Sequence, residues 1–345
     1  MADDATVMTV LGPVAADALG ITLMHEHLLT DCRCWWNRPK EKSRSRLACE
    51  LVHPGILGEL RMDPFVNLDN CRLEDERLAV AELLPAVELG CRTLVDPTCR
   101  GVGRNAAALA RIARGTGLNI VMGGGYYLQS SHPPEFAAMD AEAVAEEILR
   151  DATEGVDGTG VRIGIIGEIG ISGDFTAAEE KSLRGAARAA RRSLLPLMVH
   201  LPGWFRHAHR VLDIAEAEGA DPARTVLCHM NPSLEDAEYQ KSLARRGAFI
   251  EYDMIGMDFF YADQGVQCPS DEENARAIAA LVEAGFVDHL LLSQDVFLKM
   301  MLTRYGGFGY AYLFRHFVPR LYRHGVTEAA VRTMLADNPR RVFAP

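Results

Sequence analysis

The chain has 345 residues, 48% of them hydrophobic, and a formal net charge of −11. That length buries a large core, and barrels routinely run past 250 residues as one unit, so a single domain over 1–345 is expected. The acidic balance speaks against nucleic acid and anionic membrane as partners, because both want a basic face, and no stretch of about 18 apolar residues is present to span a bilayer.

Residues 1–6 are acidic and lack a basic region followed by an apolar run, so they do not read as a secretory signal. The eight cysteines include no CxxC pair; Cys32 and Cys34 stand two apart and the rest are scattered. That excludes a zinc knuckle or thioredoxin motif and fits reduced thiols in a cytoplasmic protein.

Eight short apolar runs recur along the chain, each ending in polar or charged residues: 21–27, 92–98, 119–126, 163–171, 196–200, 225–229, 248–254 and 289–295. Continuous runs of this length suit strands buried on both faces, as in a parallel sheet. The first closes in MHEH, where His25 and His27 flank Glu26. A long excursion over 31–69 follows, with Trp35 and Trp36. It reads either as a lid or binding loop or as a surface loop covering the barrel end. After the second run, Arg104 in GVGR orders the loop or binds an anionic group, and Asn105 caps a helix carrying Leu109 and Ile112. The third run ends in a triple glycine, then Tyr126 and Tyr127, whose phenols either point at substrate or pack.

The fourth run holds Glu168 in IIGEIG. Thr176 and Glu179 form a capping box before a helix whose apolar face carries Leu183, Ala186, Ala187 and Ala190. The fifth run ends at His200, ahead of Trp204; Trp35, Trp36 and Trp204 either wall an apolar pocket or cover the barrel rim. His207 and His209 read as structural helix residues. The sixth run ends at His229. A helix with Ile278, Leu281 and Val282 stops at Gly285, a suitable C′ residue. The eighth run ends in Gln294 and Asp295. Lys299 and Arg304 precede YGGFGY, on a solvated helix face or as carboxylate binders. Eight strands alternating with helices imply a (β/α)8 barrel or a long doubly wound sheet. No GxGxxG or P-loop motif accompanies them, which disfavours a nucleotide site.

Four imidazoles and two carboxylates thus fall at the C-terminal ends of expected barrel strands, where chemistry sits in such folds. Residues two apart on a strand share a side, so His25 and His27 can reach one ion. Imidazole and carboxylate together suit zinc, manganese or similar ions. Six ligands are too many for one tetrahedral site and suit two metals.

The pattern resembles the phosphotriesterase-like family of the amidohydrolase superfamily, and is most similar to the phosphotriesterase-related proteins with a bridging glutamate. The resemblance spans nearly the whole chain, through VLGPV, ALGITLMHEHL, DPTCRGVGR, IIGEIGIS, LCHMNP, YGGFGY and NPRRVF. It implies a TIM barrel with a long lid-like loop after the first strand. It also implies two divalent ions, zinc foremost, with manganese, cobalt or iron as alternatives. His25, His27 and Asp295 would hold the more buried ion, His200 and His229 the more exposed one, and Glu168 would bridge them. A hydroxide between the metals would attack the substrate, and Asp295 would take its proton and pass it to the leaving group. Gln294 stands where close relatives often carry His, and Asn231 where relatives can have Asp; neither change removes a ligand.

The implied activity is hydrolysis of a carboxylic derivative: a lactone, an ester or an N-acyl amide. Organophosphate triester hydrolysis is the alternative, and a metal-free binding protein on the same barrel is the alternative of another class. A small-molecule substrate and a homodimer are expected. Tyr127, Trp35, Trp36, Arg104 and Gln294 are the expected pocket residues.

Overall fold

A computed structural model describes residues 5–344, so the first four residues of the segment weighed as a secretory signal lie outside the described residues. The chain enters through an antiparallel hairpin, β1 (Thr6–Thr9) and β2 (Gly12–Ala15). It continues into β3 (Ile21–Leu23), the first strand of the barrel. β4 (Thr30–Asp31) and β5 (Arg72–Leu73) pair antiparallel and pinch off the long excursion between them. The barrel resumes with β6 (Cys91–Asp96), β7 (Asn119–Gly124), β8 (Ile165–Gly170), β9 (Leu197–His200), β10 (Thr225–Leu227) and β11 (Phe249–Tyr252). A small ribbon of β12 (Phe260–Tyr261) and β13 (Val266–Gln267) precedes the last barrel strand, β14 (Leu290–Leu292).

The eight barrel strands lie in the spatial order β14-β11-β10-β9-β8-β7-β6-β3 with parallel pairing throughout, and helices surround them. This is the expected (β/α)8 barrel. Its interior is filled by side chains from every strand, with Val95, Val121, Ile165, Met198, Val226, Phe249 and Leu291 in one buried cluster. Met24, just past β3, completes the ring, and Val7, Val342 and Phe343 close its lower end. The larger apolar layer lies between the strands' outer faces and the helices. Buried side chains on both faces explain why the strands read as continuous apolar runs.

The helix signals act where expected. Asn105 accepts from the N–H of Ala108 at the head of Ala106–Thr116. Thr176 and Glu179 form the capping box of Ala177–Ser193. The helix Asp271–Glu283 ends before Gly285, whose φ of +86° only glycine adopts without strain. This helix also opens on a capping box, from Ser270 and Glu273, that the sequence reading passed over.

One expectation needs correction. The strands are shorter than the apolar runs: β3 stops at Leu23, β10 at Leu227 and β14 at Leu292, so His25, His27, His229 and Asp295 follow strands instead of sitting on them. The excursion itself is a packed lobe. Leu47, Val52, Ile56, Leu60, Phe65 and Val66 are buried in it. The buried Asn67 amide bridges the carbonyls of Leu47 and Glu50 at 2.5 and 2.7 Å.

Candidate metal centre

Among the described residues no strand pairing joins β14 to β3, yet the barrel is closed just beyond their ends. The N–H of Asp295 donates to the carbonyl of His25 at 3.0 Å, and that of His27 to the carbonyl of Val296 at 3.2 Å. The carboxylate of Glu26, fully buried between them, accepts from the N–H groups of Gln294 and Val296 at 2.9 Å each and faces the Ser293 hydroxyl at 2.9 Å. Burial, only partly offset by these donors, pushes its carboxyl up to about 7.

Elsewhere the backbone itself aims the side chains. Met198 faces the barrel interior, and His200, two residues on, faces the mouth. His229 and Asp295 take φ of +56° and +47°, a left-handed conformation uncommon for non-glycine residues and typical of functional sites. A Cβ on Gly170 would lie 2.3 Å from the Tyr127 carbonyl carbon, so glycine there lets the Tyr127 backbone come against β8.

The six predicted ligands converge. Glu168 lies at the centre: its Oε2 is 3.6 Å from His25 Nε2, 3.2 Å from His200 Nδ1 and 3.4 Å from His229 Nε2, and its Oε1 is 3.4 Å from His27 Nε2. Asp295 Oδ1 lies 3.5 Å from His25 Nε2 and 3.3 Å from His27 Nε2. The ring nitrogens facing away have their own partners. His27 Nδ1 is 2.7 Å from the Thr98 hydroxyl, and His229 Nδ1 is 3.1 Å from Asp253 Oδ1. His25 Nδ1 is 3.3 Å from Asp253 Oδ2 and 3.4 Å from Glu251 Oε2. Outer carboxylates that fix the tautomer and aim the free nitrogen inward are the usual support of a metal-binding imidazole.

The electrostatics call for cations. Glu168, Asp295, Glu251 and Asp253 are all buried, and among the described residues their ion-pair partners are imidazoles alone. Burial pulls His27 and His229 down, but the carboxylates outweigh it and hold them up at about 9 and about 10. Burial opposes ionisation of Glu168 too, yet His25 and the other imidazoles hold it well below the usual carboxylate range. Burial and the neighbouring charge of His229 lower His200. His25 Nε2 is buried without a hydrogen-bond partner. Two overlapping ligand groups, His25–His27–Glu168 and Glu168–His200–His229, each present donor atoms within 4.8 Å of one another, and a third joins His25, His229 and Asp295. An excess of buried carboxylate, inward-facing nitrogens and an orphaned donor atom fit divalent cations.

Above this floor lies a cavity of about 600 Å³, lined by Trp35, Tyr127, Trp204 and others. The Trp35 indole donates to the Tyr127 oxygen at 3.1 Å, and that oxygen is 3.3 Å from His200 Nδ1. Burial, with Glu168 beside it, raises the Tyr127 phenol well above its ordinary value, so it stays protonated. Three expected pocket residues lie elsewhere. Arg104 is buried against Asp151 at 2.9 Å, because its loop folds back onto the following helices. Trp36 points into the excursion, its indole donating to the Val66 carbonyl at 3.3 Å. Gln294 faces away from the metal centre, where its Oε1 accepts from the N–H of Leu313 at 2.6 Å. Lys299 pairs with Asp69 at 2.5 Å and ties down the end of the excursion.

Sequence reasoning missed Glu26, Thr98, Glu251 and Asp253. The signal was present: like the ligands, Asp253 and Thr98 stand near the ends of apolar runs.

Comparison with known proteins bears on the whole chain. The model of the phosphotriesterase family matches residues 5–343. The N-acetyltaurine hydrolase of Danio rerio is 34% identical over 341 residues, 97% of each chain. A resiniferatoxin-binding protein from Rhodobacter sphaeroides superposes with a TM-score of 0.97 at 62% identity, covering 98% of this chain and 95% of that one. A phosphotriesterase homology protein from Escherichia coli, crystallised with phosphate in its active site, gives a TM-score of 0.77 at 28% identity, covering 95% and 99%.

Proposed function

The chain belongs to the phosphotriesterase family and is a metal-dependent hydrolase of carboxylic derivatives, and from that premise we propose that its six converging side chains hold two divalent cations, zinc foremost, and open a lactone, ester or N-acyl amide. His25, His27 and Asp295 would hold one cation and His200 and His229 the other, and Glu168 would complete the ligand set. The observation that carries this reading is the central place of Glu168, whose two oxygens face all four imidazoles. Bound there, divalent cations lower the pKa of water toward neutrality and polarise the scissile carbonyl.

The chain's own groups do the rest. Asp295, carboxylate over the mouth, takes the proton of the attacking water and delivers it to the leaving atom. Tyr127 keeps its proton and, since the Trp35 indole already donates to its oxygen and the nearby His200 Nδ1 is committed to the cation, directs its own hydrogen to the substrate oxygen. Asp253 keeps His25 and His229 turned inward. All eight cysteines are free, which supports a cytoplasmic setting; the homodimer rests on the family resemblance alone.

A neutral organophosphate triester is the second reading, because the aromatic and apolar cavity walls admit one as well. The test is elemental analysis followed by a panel of one lactone, one N-acyl amide, one aryl ester and one phosphate triester. About two cations per chain are expected, with the carboxylic substrates turned over faster than the triester. A stoichiometry well below one in folded protein overturns the metal assignment, and a triester preference overturns the substrate class.

A further inference from the structure

The cavity walls come from three separate loops: Trp35 and Phe65 from the excursion, Trp204 from the loop after β9, and Met257 and Tyr261 from the segment after β11. Their rings form one continuous surface. Trp35 stacks on Phe65 at 5.4 Å and Phe65 on Tyr261 at 5.3 Å, while Trp204 meets Tyr261 edge-on at 5.9 Å. Offset aromatic surfaces of this kind favour flat or bulky apolar groups, and Met257 adds an adaptable contact. The volume of about 600 Å³ lies within the range of about 300–1,000 Å³ that drug-sized ligands occupy.

The walls also lack a counter-charge. No lysine or arginine lines the cavity among the described residues. The one carboxylate on the wall above the floor, Glu179, is fully engaged. It accepts from the N–H groups of Gln129, Ser172 and Thr176 at 3.2, 3.1 and 3.0 Å and from the Ser172 hydroxyl at 2.8 Å. Nearby Lys181 is turned away, donating to the carbonyls of Phe136 and Met139 at 2.8 and 2.7 Å. A sulfonate or carboxylate at the far end of a substrate would be desolvated here with no cationic partner, since the lining offers no lysine or arginine and the donors around Glu179 are already taken.

We propose that this site selects uncharged carboxylic derivatives bearing a bulky aromatic or alicyclic group and rejects those that end in an anion. The inference rests on the hydrolase reading for its floor, where the cations are committed to the scissile group, but its wall argument is separate.

The experiment compares two amides with the same acetyl group and a primary alkylamine leaving group: N-acetyl-2-phenylethylamine and N-acetyltaurine. On metal-loaded protein, kcat/KM for the neutral amide exceeds that for the sulfonate by about 100-fold or more, the cost of burying an unpaired anion. Binding is read independently of turnover by quenching of tryptophan fluorescence, since Trp35 and Trp204 lie in the wall, and the neutral amide binds the more tightly. Gln264→Arg, which sets a cation on the cavity lining, narrows the binding ratio about fivefold or more. Equal or tighter binding of the sulfonate, or no measurable binding of the neutral amide, overturns the inference. Tight binding of the neutral amide without turnover of either leaves the inference standing and overturns amide hydrolysis instead. Turnover of both at equal rates and equal affinity overturns the inference and leaves the hydrolase reading intact.

Discussion

The N–H of Asp295 donates to the carbonyl of His25 at 3.0 Å, so the last and first strands of the barrel are joined by two residues whose side chains face the same candidate metal centre. Closure of the fold and assembly of the site are therefore one event. The buried Glu26 carboxylate, with two backbone donors from the far side of the seam, is what fastens it.

Glu26→Gln is expected to destabilise the protein by about 2–4 kcal/mol, because glutamine offers one oxygen and turns its NH2 toward a backbone N–H that needs an acceptor. Chemical denaturation of metal-loaded protein measures this. An unchanged midpoint would mean that the seam holds without the carboxylate.

Asp253→Asn is expected to leave the fold intact and to weaken cation affinity about 10–100-fold, the usual effect of losing an outer carboxylate behind a ligating imidazole. Asp253 accepts from both the N–H and the Nδ1 of His229 and also faces His25, so both halves of the site feel the change. Competition with a chelator reads it. Wild-type affinity in this variant would show that the imidazoles need no such support.

Gln294→His is expected to keep its cations, whereas His200→Ala and His229→Ala lose them. Gln294 lies beside Asp295 in sequence but spends its oxygen on the N–H of Leu313, away from the centre. Elemental analysis of the three variants decides, and metal loss in the Gln294 variant would place its side chain in the site.

The six converging residues were legible because barrel strands carry their chemistry at one end, and each of His25, His27, Glu168, His200, His229 and Asp295 lies in or at the end of an apolar run. The strand limits were not, since the backbone leaves the sheet at Leu227 and Leu292, a few residues before the left-handed His229 and Asp295, and nothing in the sequence marks those points. Glu26 and Asp253 also lie at or near the ends of apolar runs; Glu26 was passed over because it stands between two residues that already had an assignment, and Asp253 because its run ends one residue later, in Met254. The cavity walls were least legible. Trp35, Phe65 and Tyr261 meet only because the excursion folds onto the segment after β11, and no local pattern announces a contact between residues so far apart.

Asp295→Asn is expected to cost more in turnover than in stability. Asparagine can still offer an oxygen to a cation but cannot accept a proton at neutral pH, and general acid–base catalysis contributes about 10²–10⁴-fold. The loss is largest for amides and alkyl lactones, whose leaving groups need that proton, and smallest for nitrophenyl esters, whose leaving groups depart as anions. Turnover of one substrate of each kind on metal-loaded variant protein measures it. An equal loss on both would make Asp295 a ligand only.

The seam has a consequence for biosynthesis. His25 and Ser293, which meet across it, are separated by 268 residues of chain. At roughly 5–20 residues per second on the ribosome, the first pair of imidazoles waits about 13–54 s for the strand that completes their surroundings. During that interval the nascent chain has an open sheet edge and a candidate site still without Asp295. A chain that stops short of β14 cannot shut its barrel and lacks Asp295, so the candidate metal centre is finished only when the barrel is.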